Sequence, residues 1–424
     1  MKTKTVSLLG CGTVGRGLVE LIRRNRSLIA ERSGVDLEIS KILVRDLAKE
    51  RGNVDRSLLT DQPGEAVANG ADVVVEVIGG LEPARTLVLG AIAAGKHVVT
   101  ANKALLADCG PELFRRAAEQ NVRIGFEASV GGGIPIVRAL SSGLAGNRIE
   151  RLCGILNGTC NYILTRMADD GLSFEVALAE AQSRGFAEAE PSLDIDGTDA
   201  AHKLQILAGL AFGRSLGRDS VSVEGIRFIE KDDLEAAESL GFVLRHIAVG
   251  RDLGETLDLR VHPAFLAKDH PLAHVRHENN AVLLKGDAVG EMVFHGRGAG
   301  AAPTASAILS DVIDLARNGT GPALRTPAVE TAVAADPESE RYFRFPVIDA
   351  PGVIGLIATA LGNRGISISH ASASLVAGER DRGSVKILAH ACRAGVARKA
   401  VDEIARLPVL TGRPVSIPIE RSVA

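Results

Sequence analysis

The sequence predicts an α/β protein that begins with a doubly wound parallel sheet, continues through an α+β region and ends in a small ferredoxin-like module. Three observations lead to this prediction: strands alternate with helices up to residue 128, a glycine-rich loop follows the first strand, and the chain ends in a βαββαβ pattern. The length of 424 residues agrees with about three domains of roughly 150 residues each.

The composition is typical of a globular protein and excludes several classes. Hydrophobic residues make up 46% and charged residues 24%, and the formal net charge is −3 with no long basic run. Five cysteines without a C-x-x-C pair give no support to a disulfide framework or a zinc site. There is no signal-peptide pattern and no apolar run of about 18 residues, so we expect a cytoplasmic protein with no membrane and no nucleic-acid partner.

The first region, residues 1–130, alternates apolar strands with helices. The predicted strands are Val6–Leu9, Leu37–Val44, Val73–Val77, His97–Thr100 and Arg123–Glu127. The predicted helices are Val14–Ala30, Glu82–Ala94 and Cys109–Gln120. Continuous apolar strands between helices indicate a parallel sheet that is covered on both faces, as in a Rossmann dinucleotide-binding domain.

A G-x-G-x-x-G loop, Gly10 to Gly15, joins the first strand to the first helix. Gly10 allows a tight turn, Gly12 lets a pyrophosphate approach the backbone, and Gly15 allows close packing of helix and strand. Phosphates bind well at such a helix N-terminus, so Gly10, Gly12, Thr13, Val14 and Gly15 are the candidate cofactor-binding residues. The alternative is an ordinary turn between strand and helix.

The residue that senses the adenosine ribose is expected at the end of the second strand. Arg45 can bind the 2′-phosphate of NADP there, whereas Asp46 can accept from the 2′-hydroxyl of NAD. This pair slightly favours NADP over NAD, and an enzyme that uses both cofactors is also compatible with it. The alternative for Arg45 is an exposed charge at the strand end with no role in cofactor binding.

The middle region, residues 131–318, is predicted to be an α+β domain for substrate binding and dimerisation. An acidic segment, Ala187 to Asp199, precedes an apolar helix, Ala200 to Phe212, and the Gly298 run opens a helix that is expected to pack back on the first domain as residues 298–318. Residues 319–341 have the composition of a linker. Residues 342–420 form the βαββαβ module.

Two lysines stand out as candidates for chemistry. Lys103 follows the fourth strand, at the sheet edge where doubly wound folds bind ligands, although a solvated loop charge is the alternative. Lys203 lies in one of the most apolar helices, four residues after Asp199, so an ion pair on one helical face can orient its amine. Acids just upstream, Glu188 and Asp194, suit the ammonium of an amino-acid substrate, whereas Glu190 and Asp196 are more readily explained as a solvated loop.

Seven motifs together resemble the homoserine dehydrogenase family along nearly the whole chain. They are Gly10-Cys-Gly-Thr-Val-Gly15, Thr100-Ala-Asn-Lys-Ala-Leu-Leu-Ala107, Glu127-Ala-Ser-Val-Gly-Gly-Gly-Ile-Pro135, Leu156-Asn-Gly-Thr159, Gly185-Phe-Ala-Glu-Ala-Glu-Pro191, Asp194-Ile-Asp-Gly-Thr-Asp-Ala-Ala-His-Lys203 and Gly298-Ala-Gly-Ala-Ala-Pro-Thr304. The last module resembles an ACT domain, with Asp349-Ala-Pro-Gly352 as its first turn.

The resemblance implies reversible oxidation of L-homoserine to L-aspartate 4-semialdehyde with NADP or NAD, a step toward threonine and methionine. It implies Lys203 as the acid/base with Asp199 holding it, and Lys103 near substrate and nicotinamide, where it can share the proton. The residues that would bind homoserine are Glu188, Asp194, Asp199, Lys203 and Thr159, and Gly300 would close over the cofactor.

The family also implies a monovalent cation, sodium or potassium, at the positions of Glu127, Val130, Gly132 and Ile134. Backbone carbonyls of a glycine-rich turn are suitable ligands for a hard cation. A homodimer or a homotetramer is expected. L-threonine is a possible effector that would bind the ACT-like module, and the alternative is that this module serves only in assembly. The rival functions are a non-catalytic cofactor or amino-acid sensor and an oxidoreductase for another amino-acid semialdehyde.

Phe186 departs from the family pattern. Many family members have tyrosine at this position, so a hydroxyl is missing from the expected pocket wall. Contacts from the backbone of residues 185–187 would be unaffected.

Overall fold

The computed structural model describes residues 2–68, 70–217, 219–318, 331–333, 336–375 and 381–421. The chain divides into two units. Unit 1 comprises Met1–Leu152, His202–Val221 and Asn280–Thr331, and unit 2 comprises Cys153–Ala201, Ser222–Asn279 and Ala332–Ala424. Most of the predicted linker, residues 319–341, lies outside the described residues.

The described residues form fourteen helices and sixteen strands, here numbered in chain order. The helices are α1 Thr13–Arg24, α2 Arg26–Ser33, α3 Pro63–Val67, α4 Ala84–Ala93, α5 Lys103–Glu119, α6 Ile136–Arg138, α7 Gly158–Asp170, α8 Phe174–Ser183, α9 Ser192–Ile195, α10 Thr198–Phe212, α11 Lys231–Ser239, α12 Ala301–Asn318, α13 Val353–Asn363 and α14 Ala394–Ile404. The strands are β1 Lys2–Leu9, β2 Val35–Leu43, β3 Leu59–Thr60, β4 Val73–Glu76, β5 His97–Thr100, β6 Ile124–Gly125, β7 Ile149–Ile155, β8 Ser222–Val223, β9 Phe242–Asp252, β10 Leu257–Ala267, β11 Asn279–Gly286, β12 Gly290–Arg297, β13 Glu338–Ile348, β14 Ile368–Leu375, β15 Arg382–Arg393 and β16 Val415–Glu420. Across these ranges, no helix is both long enough and apolar enough to cross a membrane.

Unit 1 contains a six-stranded parallel sheet in the order β3-β2-β1-β4-β5-β6. This is the strand order of the Rossmann fold, so the predicted fold class is confirmed. The central strands are apolar on both faces because helices cover both sides of the sheet, and all four residues of β4 are buried.

Helix α12 shares a hydrophobic core with the parallel sheet of unit 1. Ala305, Ile308 and Val312 from this helix pack with Val6 and Leu8 of β1 in one buried cluster. A Cβ at Gly17 of α1 would lie 3.5 Å from the carbonyl oxygen of Ala301, so α1 and α12 approach closely there. Helix α12 therefore packs beside α1 and over the parallel sheet.

Two helices of unit 1 differ from the sequence prediction. The predicted helix Val14–Ala30 is divided at Asn25, whose N–H donates to Leu21 and whose carbonyl accepts from Ile29. The predicted helix Cys109–Gln120 begins earlier, at Lys103, because the side chain of Asn102 accepts the Leu105 N–H as a cap. Pro111, which would lie in the first turn of the predicted helix, therefore lies inside α5.

Unit 2 combines a long antiparallel pair, β9 and β10, with the C-terminal βαββαβ module. The module's sheet has the antiparallel order β16-β13-β15-β14, which is ferredoxin-like. Strand β16 also pairs in parallel with β10, where Phe265 lies opposite Ile419. Within unit 2, the module therefore continues the sheet that contains β9 and β10.

A buried ion pair also joins the C-terminal module to helix α11. The guanidinium of Arg344 on β13 donates to both carboxylate oxygens of Asp233, at 2.7 and 3.1 Å, and both side chains are buried. Removing one partner of such a pair would leave an uncompensated buried charge. The ring of Tyr342 stacks on Phe265 with a centroid distance of 4.7 Å, so polar and apolar contacts hold the same junction.

Candidate active site

Two glycines of the loop between β1 and α1 are required by the backbone itself. Gly10 has φ of +104°, and a Cβ there would lie 2.9 Å from the carbonyl oxygen of Val77. A Cβ at Gly15 would lie 2.8 Å from the carbonyl oxygen of Gly10. Any side chain at either position would therefore force the loop to move.

Gly12 has a different role, because a Cβ there would meet no atom of the described structure within 4 Å. It is the N-cap residue of α1, and no side chain caps this helix. The first N–H groups of the helix, from Thr13 and Val14, are therefore available to an anion. Open space beside an uncapped helix N-terminus fits the pyrophosphate of a dinucleotide.

Basic residues that sequence analysis did not select lie beside this loop. A cavity of about 360 Å³ is lined by Thr13, Arg16 and Arg51, among others. Burial raises the pKa of the Cys11 thiol, and the charges of Arg51 and Arg16 oppose that rise, so both guanidinium groups act at the loop. Arg16 directly follows the glycine motif, which was a signal that sequence analysis did not use, whereas Arg51 follows neither a predicted strand end nor a motif.

The end of β2 presents Arg45 to solvent. The neighbouring Asp46 uses its carboxylate to accept the N–H of Ala48 at 2.8 Å, within its own turn. Asp46 therefore has a structural role in its own turn, whereas no such role is seen for the side chain of Arg45 in the described residues.

A buried polar network lies at the carboxyl ends of β4 and β5, just before Lys103. The carboxylate of Glu76 is fully buried, accepts the N–H groups of Ile78 and Gly79, and accepts the Thr100 hydroxyl at 2.6 Å. The amide of Asn102 donates to the carbonyl of Gly80 at 2.6 Å. This network fixes both the loop after β4 and the start of α5, where Lys103 is the first residue and is half-buried.

The glycine-rich turn after β6 contains the four predicted cation ligands. The carboxylate of Glu127 is buried and accepts the N–H groups of Val137 and Arg138, both at 2.8 Å. Its role in this structure is therefore to hold the turn. In the part of the chain that is described, no group of three or more His, Cys, Asp and Glu side chains could hold a metal ion. The possible ligands are the backbone carbonyls of Glu127, Val130, Gly132 and Ile134, a donor type that suits a monovalent cation.

In unit 2, the amide of Asn157 bridges two predicted substrate ligands. Its Nδ2 donates to Asp194 Oδ1 and to Asp199 Oδ2, both at 2.8 Å, and its Oδ1 accepts the Cys160 N–H at the start of α7. Thr159 lies next to them, donating to the carbonyl of Phe186 at 2.6 Å and contacting Asp194 Oδ2 at 3.4 Å. Three of the predicted substrate-binding residues, Thr159, Asp194 and Asp199, thus form one cluster.

Sequence analysis missed Asn157 as a site residue. It lies in the Leu156–Thr159 motif, but its two carboxylate partners are 37 and 42 residues away. Its place in this motif was therefore the only feature of the sequence that could have identified Asn157. Phe186, the departure from the family pattern, packs its ring against Tyr162 at a centroid distance of 4.9 Å.

Helix α10 carries both Asp199 and Lys203, one turn apart. Their exposed fractions are 6% and 9%, so the side chains of an aspartate and a lysine are buried on one helical face. Asp199 belongs to unit 2 and Lys203 to unit 1. Glu188, in contrast, is exposed, as is Gly300, which has φ of +113°.

The parallel sheet, the glycine loop and the open helix N-terminus define the class of this protein, a dinucleotide-binding α/β protein of the Rossmann type. A family model described as homoserine dehydrogenase, NAD binding domain, matches residues 10–127, and one described as homoserine dehydrogenase matches residues 135–313. The chain belongs to the homoserine dehydrogenase family. It is an NAD(P)-dependent oxidoreductase, which confirms the resemblance in its motifs.

Individual relatives match along most of the chain. The homoserine dehydrogenase of Synechocystis sp. is 43% identical, over 98% of this chain and 99% of its own. A homoserine dehydrogenase structure from Thiobacillus denitrificans has a TM-score of 0.92 at 39% identity and covers 99% of each chain. A hyperthermophilic archaeal homoserine dehydrogenase in complex with NADPH has a TM-score of 0.64 at 30% identity, over 77% of this chain and 100% of that one.

Proposed function

We propose that this chain oxidises L-homoserine reversibly to L-aspartate 4-semialdehyde with NADP or NAD, and that Lys203 exchanges the hydroxyl proton. The observation that carries this proposal is the buried lysine of α10, one turn after a buried aspartate. A buried amine with a carboxylate on the same helical face can transfer a proton without a metal or a thiol.

The nicotinamide, when bound, accepts a hydride from the carbon that bears the hydroxyl. In that direction the amine of Lys203 takes the hydroxyl proton as the carbonyl forms, and it returns the proton in the reverse reaction. Asp199 orients this amine, and Lys103, at the start of α5, contacts substrate and nicotinamide and can share the proton. The dinucleotide is held by Gly10, Gly12, Thr13, Val14 and Gly15, with Arg45 at a 2′-phosphate and Gly300 closing over the cofactor.

Homoserine binding is assigned to the carboxylate cluster of unit 2. Asp194 and Asp199 are held side by side by Asn157, so two carboxylates lie close together where the substrate ammonium would bind. Thr159 adds a hydroxyl beside Asp194, and Glu188 is the exposed member of the set.

The test follows the absorbance of the reduced cofactor with homoserine and either NADP or NAD. We expect Lys203→Ala to lower kcat by about 100-fold to 10,000-fold, the usual size of general acid–base catalysis, while NADPH binding is unchanged. Lys399→Ala, at an exposed lysine of α14, is the matched control. If the wild-type chain binds NADPH but turns over homoserine with neither cofactor, the protein is a sensor and the proposed reaction is wrong.

We further propose a sodium or potassium ion on the backbone carbonyls of Glu127, Val130, Gly132 and Ile134. The turn contains two adjacent glycines with positive φ, Gly131 and Gly132, which bend the backbone so that successive peptide groups lie close together. Activity in NaCl or KCl is expected to exceed activity in choline chloride at equal ionic strength. Equal activity in all three salts would contradict the cation proposal.

We propose three domains: residues 1–130 with 298–318 for the dinucleotide, 131–318 for substrate binding and dimerisation, and an ACT-like module at 342–420. Residues 319–341 were predicted to link the last two, but β13 of the module already begins at Glu338, so the proposed link is shortened to residues 319–337. The core that α12 shares with β1 supports the first assignment. A homodimer or homotetramer is expected, and light scattering of the purified chain distinguishes them.

L-threonine is the proposed effector of the ACT-like module. Two turns of the module could hold an amino acid between strand and helix ends, Asp349–Gly352 and Asn363–Gly365. They flank α13, an 11-residue helix that is about 16 Å long, so one amino acid can reach only one of them within a module. Asp349→Ala and Asn363→Ala are therefore tested separately, and loss of threonine inhibition in one identifies the turn. Point variants are preferable to deletion of the module, because deletion would remove the partner of β10. Inhibition that survives both substitutions would leave assembly as the module's role.

A further inference from the structure

A second cavity lies within unit 2, at the C-terminal end of α7. Its volume of about 540 Å³ is within the usual range for small-molecule sites. Helix α11, strand β9 and the turn around Ala273 form its other walls, with Leu234 and Phe242 on the apolar side. None of the residues assigned above to cofactor, substrate or cation lines it.

Arg245 is among the residues that line this cavity, and the surroundings of its guanidinium are unusual. Only 4% of the residue is exposed, and its N–H groups donate to the carbonyls of Val275, Leu244 and Ala273. Among the described residues, no carboxylate lies within 4 Å of it, which is rare for a buried arginine. Burial lowers its pKa to about 10, so the group stays charged at neutral pH. Three of its five N–H donors are used, and two remain for a ligand.

Charges of both signs line the rest of the cavity. Lys268 is exposed and forms no ion pair with any described carboxylate, whereas Lys231 lies 3.4 Å from Glu235. Arg276 is paired with Asp169, and Glu238 adds a further carboxylate on α11. Cationic groups for a carboxylate, acids for an ammonium and an apolar wall are the three features that bind an α-amino acid.

We propose that this cavity binds an α-amino acid with an apolar side chain, at a site separate from the candidate active site. The amino acid's carboxylate contacts Arg245 and Lys268, its ammonium faces the acids of α11, and its side chain packs on Leu234 and Phe242. Charge-assisted hydrogen bonds to a guanidinium supply specificity for the carboxylate.

Helix α7 connects this cavity to the carboxylate cluster. Its last turn lines the cavity, and its first turn is capped by Asn157, which bridges Asp194 and Asp199. Midway, the amide of Asn161 donates to the carbonyls of Val275, His277 and Asn279, the segment that Arg245 also holds. A ligand that moves α7 or this segment changes the spacing of the two carboxylates. The coupling to homoserine rests on the proposed function, whereas the binding itself does not.

The binding experiment is calorimetric titration of the full chain with L-valine, L-leucine and L-methionine, without cofactor or homoserine. We expect binding of at least one of them by the wild-type chain and by Lys399→Met, the control at an exposed lysine of α14. Lys268→Met removes a cation and Ala168→Trp fills the exposed mouth of the cavity, so each is expected to weaken binding at least tenfold. Neither changes a buried side chain, so both variants should fold.

The second readout is the KM for homoserine with and without the amino acid. A shift of about 5-fold to 150-fold is the normal range for coupled sites, and it should vanish in Ala168→Trp, whose KM without the amino acid is unchanged. Asp194→Asn should still bind the amino acid, which separates this cavity from the homoserine site. Turnover without amino-acid binding would overturn this proposal alone, and binding without turnover would overturn only the proposed reaction. Equal affinity in wild type, Lys268→Met and Ala168→Trp would place the amino acid elsewhere and refute the assignment.

Discussion

The nucleotide loop of unit 1 and the carboxylate cluster of unit 2 are built in opposite ways. The loop uses backbone: Gly10 and Gly15 are glycines because a Cβ would meet a carbonyl oxygen within 3 Å. The cluster uses side chains: Asn157, Thr159, Asp194 and Asp199 are connected by hydrogen bonds of 2.8 to 3.4 Å. A backbone site depends on local geometry, whereas a side-chain site depends on contacts between distant parts of the sequence.

The largest effect is expected at the loop. Gly10→Ala should destabilise the protein by about 3 kcal/mol, because it combines a strained φ with a contact of 2.9 Å, and NADPH affinity should fall with it. Urea unfolding and NADPH fluorescence titration measure the two effects. Gly12→Ala, whose Cβ meets no described atom within 4 Å, should keep its stability but lose NADPH affinity. Equal stability losses in the two variants would show that the loop is not built as described.

Low pH should destabilise the fold of unit 2, because a buried histidine lies near the carboxylate cluster. Burial lowers the pKa of His246 to about 4, although its Nε2–H donates to the Glu224 carbonyl and Asp199 lies nearby. At this histidine the unfolded chain therefore binds more protons than the folded chain between pH 6.5 and pH 4. The stability that His246 contributes is fully present above pH 6.5 and is lost as the pH falls toward 4. From pH 7 to pH 5 the loss is about 2 kcal/mol.

His246→Gln keeps a donor for Glu224 but cannot titrate. Its unfolding free energy should therefore fall by about 2 kcal/mol less than that of the wild type between pH 7 and pH 5. His295→Gln, at an exposed position in unit 1, is the control and should follow the wild type. Identical pH profiles for all three proteins would rule out this role for His246.

The cluster itself is tested by Asn157→Ser. Serine can still cap α7, but it cannot bridge the carboxylates of Asp194 and Asp199. The KM for homoserine should rise about 10-fold to 100-fold, which corresponds to one or two lost hydrogen bonds to charged groups, while the Kd of NADPH is unchanged. A parallel loss of NADPH affinity would mean that the two regions are not independent.

The smallest effect is expected for Arg45→Ala. If the exposed guanidinium binds a 2′-phosphate, the preference for NADPH over NADH, measured as the ratio of kcat/KM values, should fall about tenfold. Arg56→Ala, a second exposed arginine of the same unit, is the control. An unchanged ratio would make Arg45 a solvated charge.

The same contrast explains what could be predicted from the sequence. The predicted strand His97–Thr100 coincides with β5, because a buried parallel strand is a continuous apolar run. The long pair β9 and β10 was not predicted. Its buried positions include charged residues such as Asp258 and Arg260, whose carboxylate and guanidinium satisfy each other at 2.8 and 3.0 Å. Such pairs hide the apolar pattern until the fold is known.

The candidate site divides in the same way. Gly10, Gly12 and Gly15 could be found from their spacing, because the turn needs them locally. Asn157, Glu76 and Arg51 could not, because each depends on contacts with residues that are far away in the sequence or on a cavity that only the folded chain forms.

The parallel pairing of β10 with β16 also affects how the chain is made. About 150 residues separate the two strands, and a ribosome needs roughly 10 to 30 seconds to synthesise them. Throughout that time the Phe265–Leu266 end of β10 lacks this neighbour, and exposed strand edges promote aggregation. Translation speed and chaperone capacity in the expression host should therefore influence the yield of folded protein.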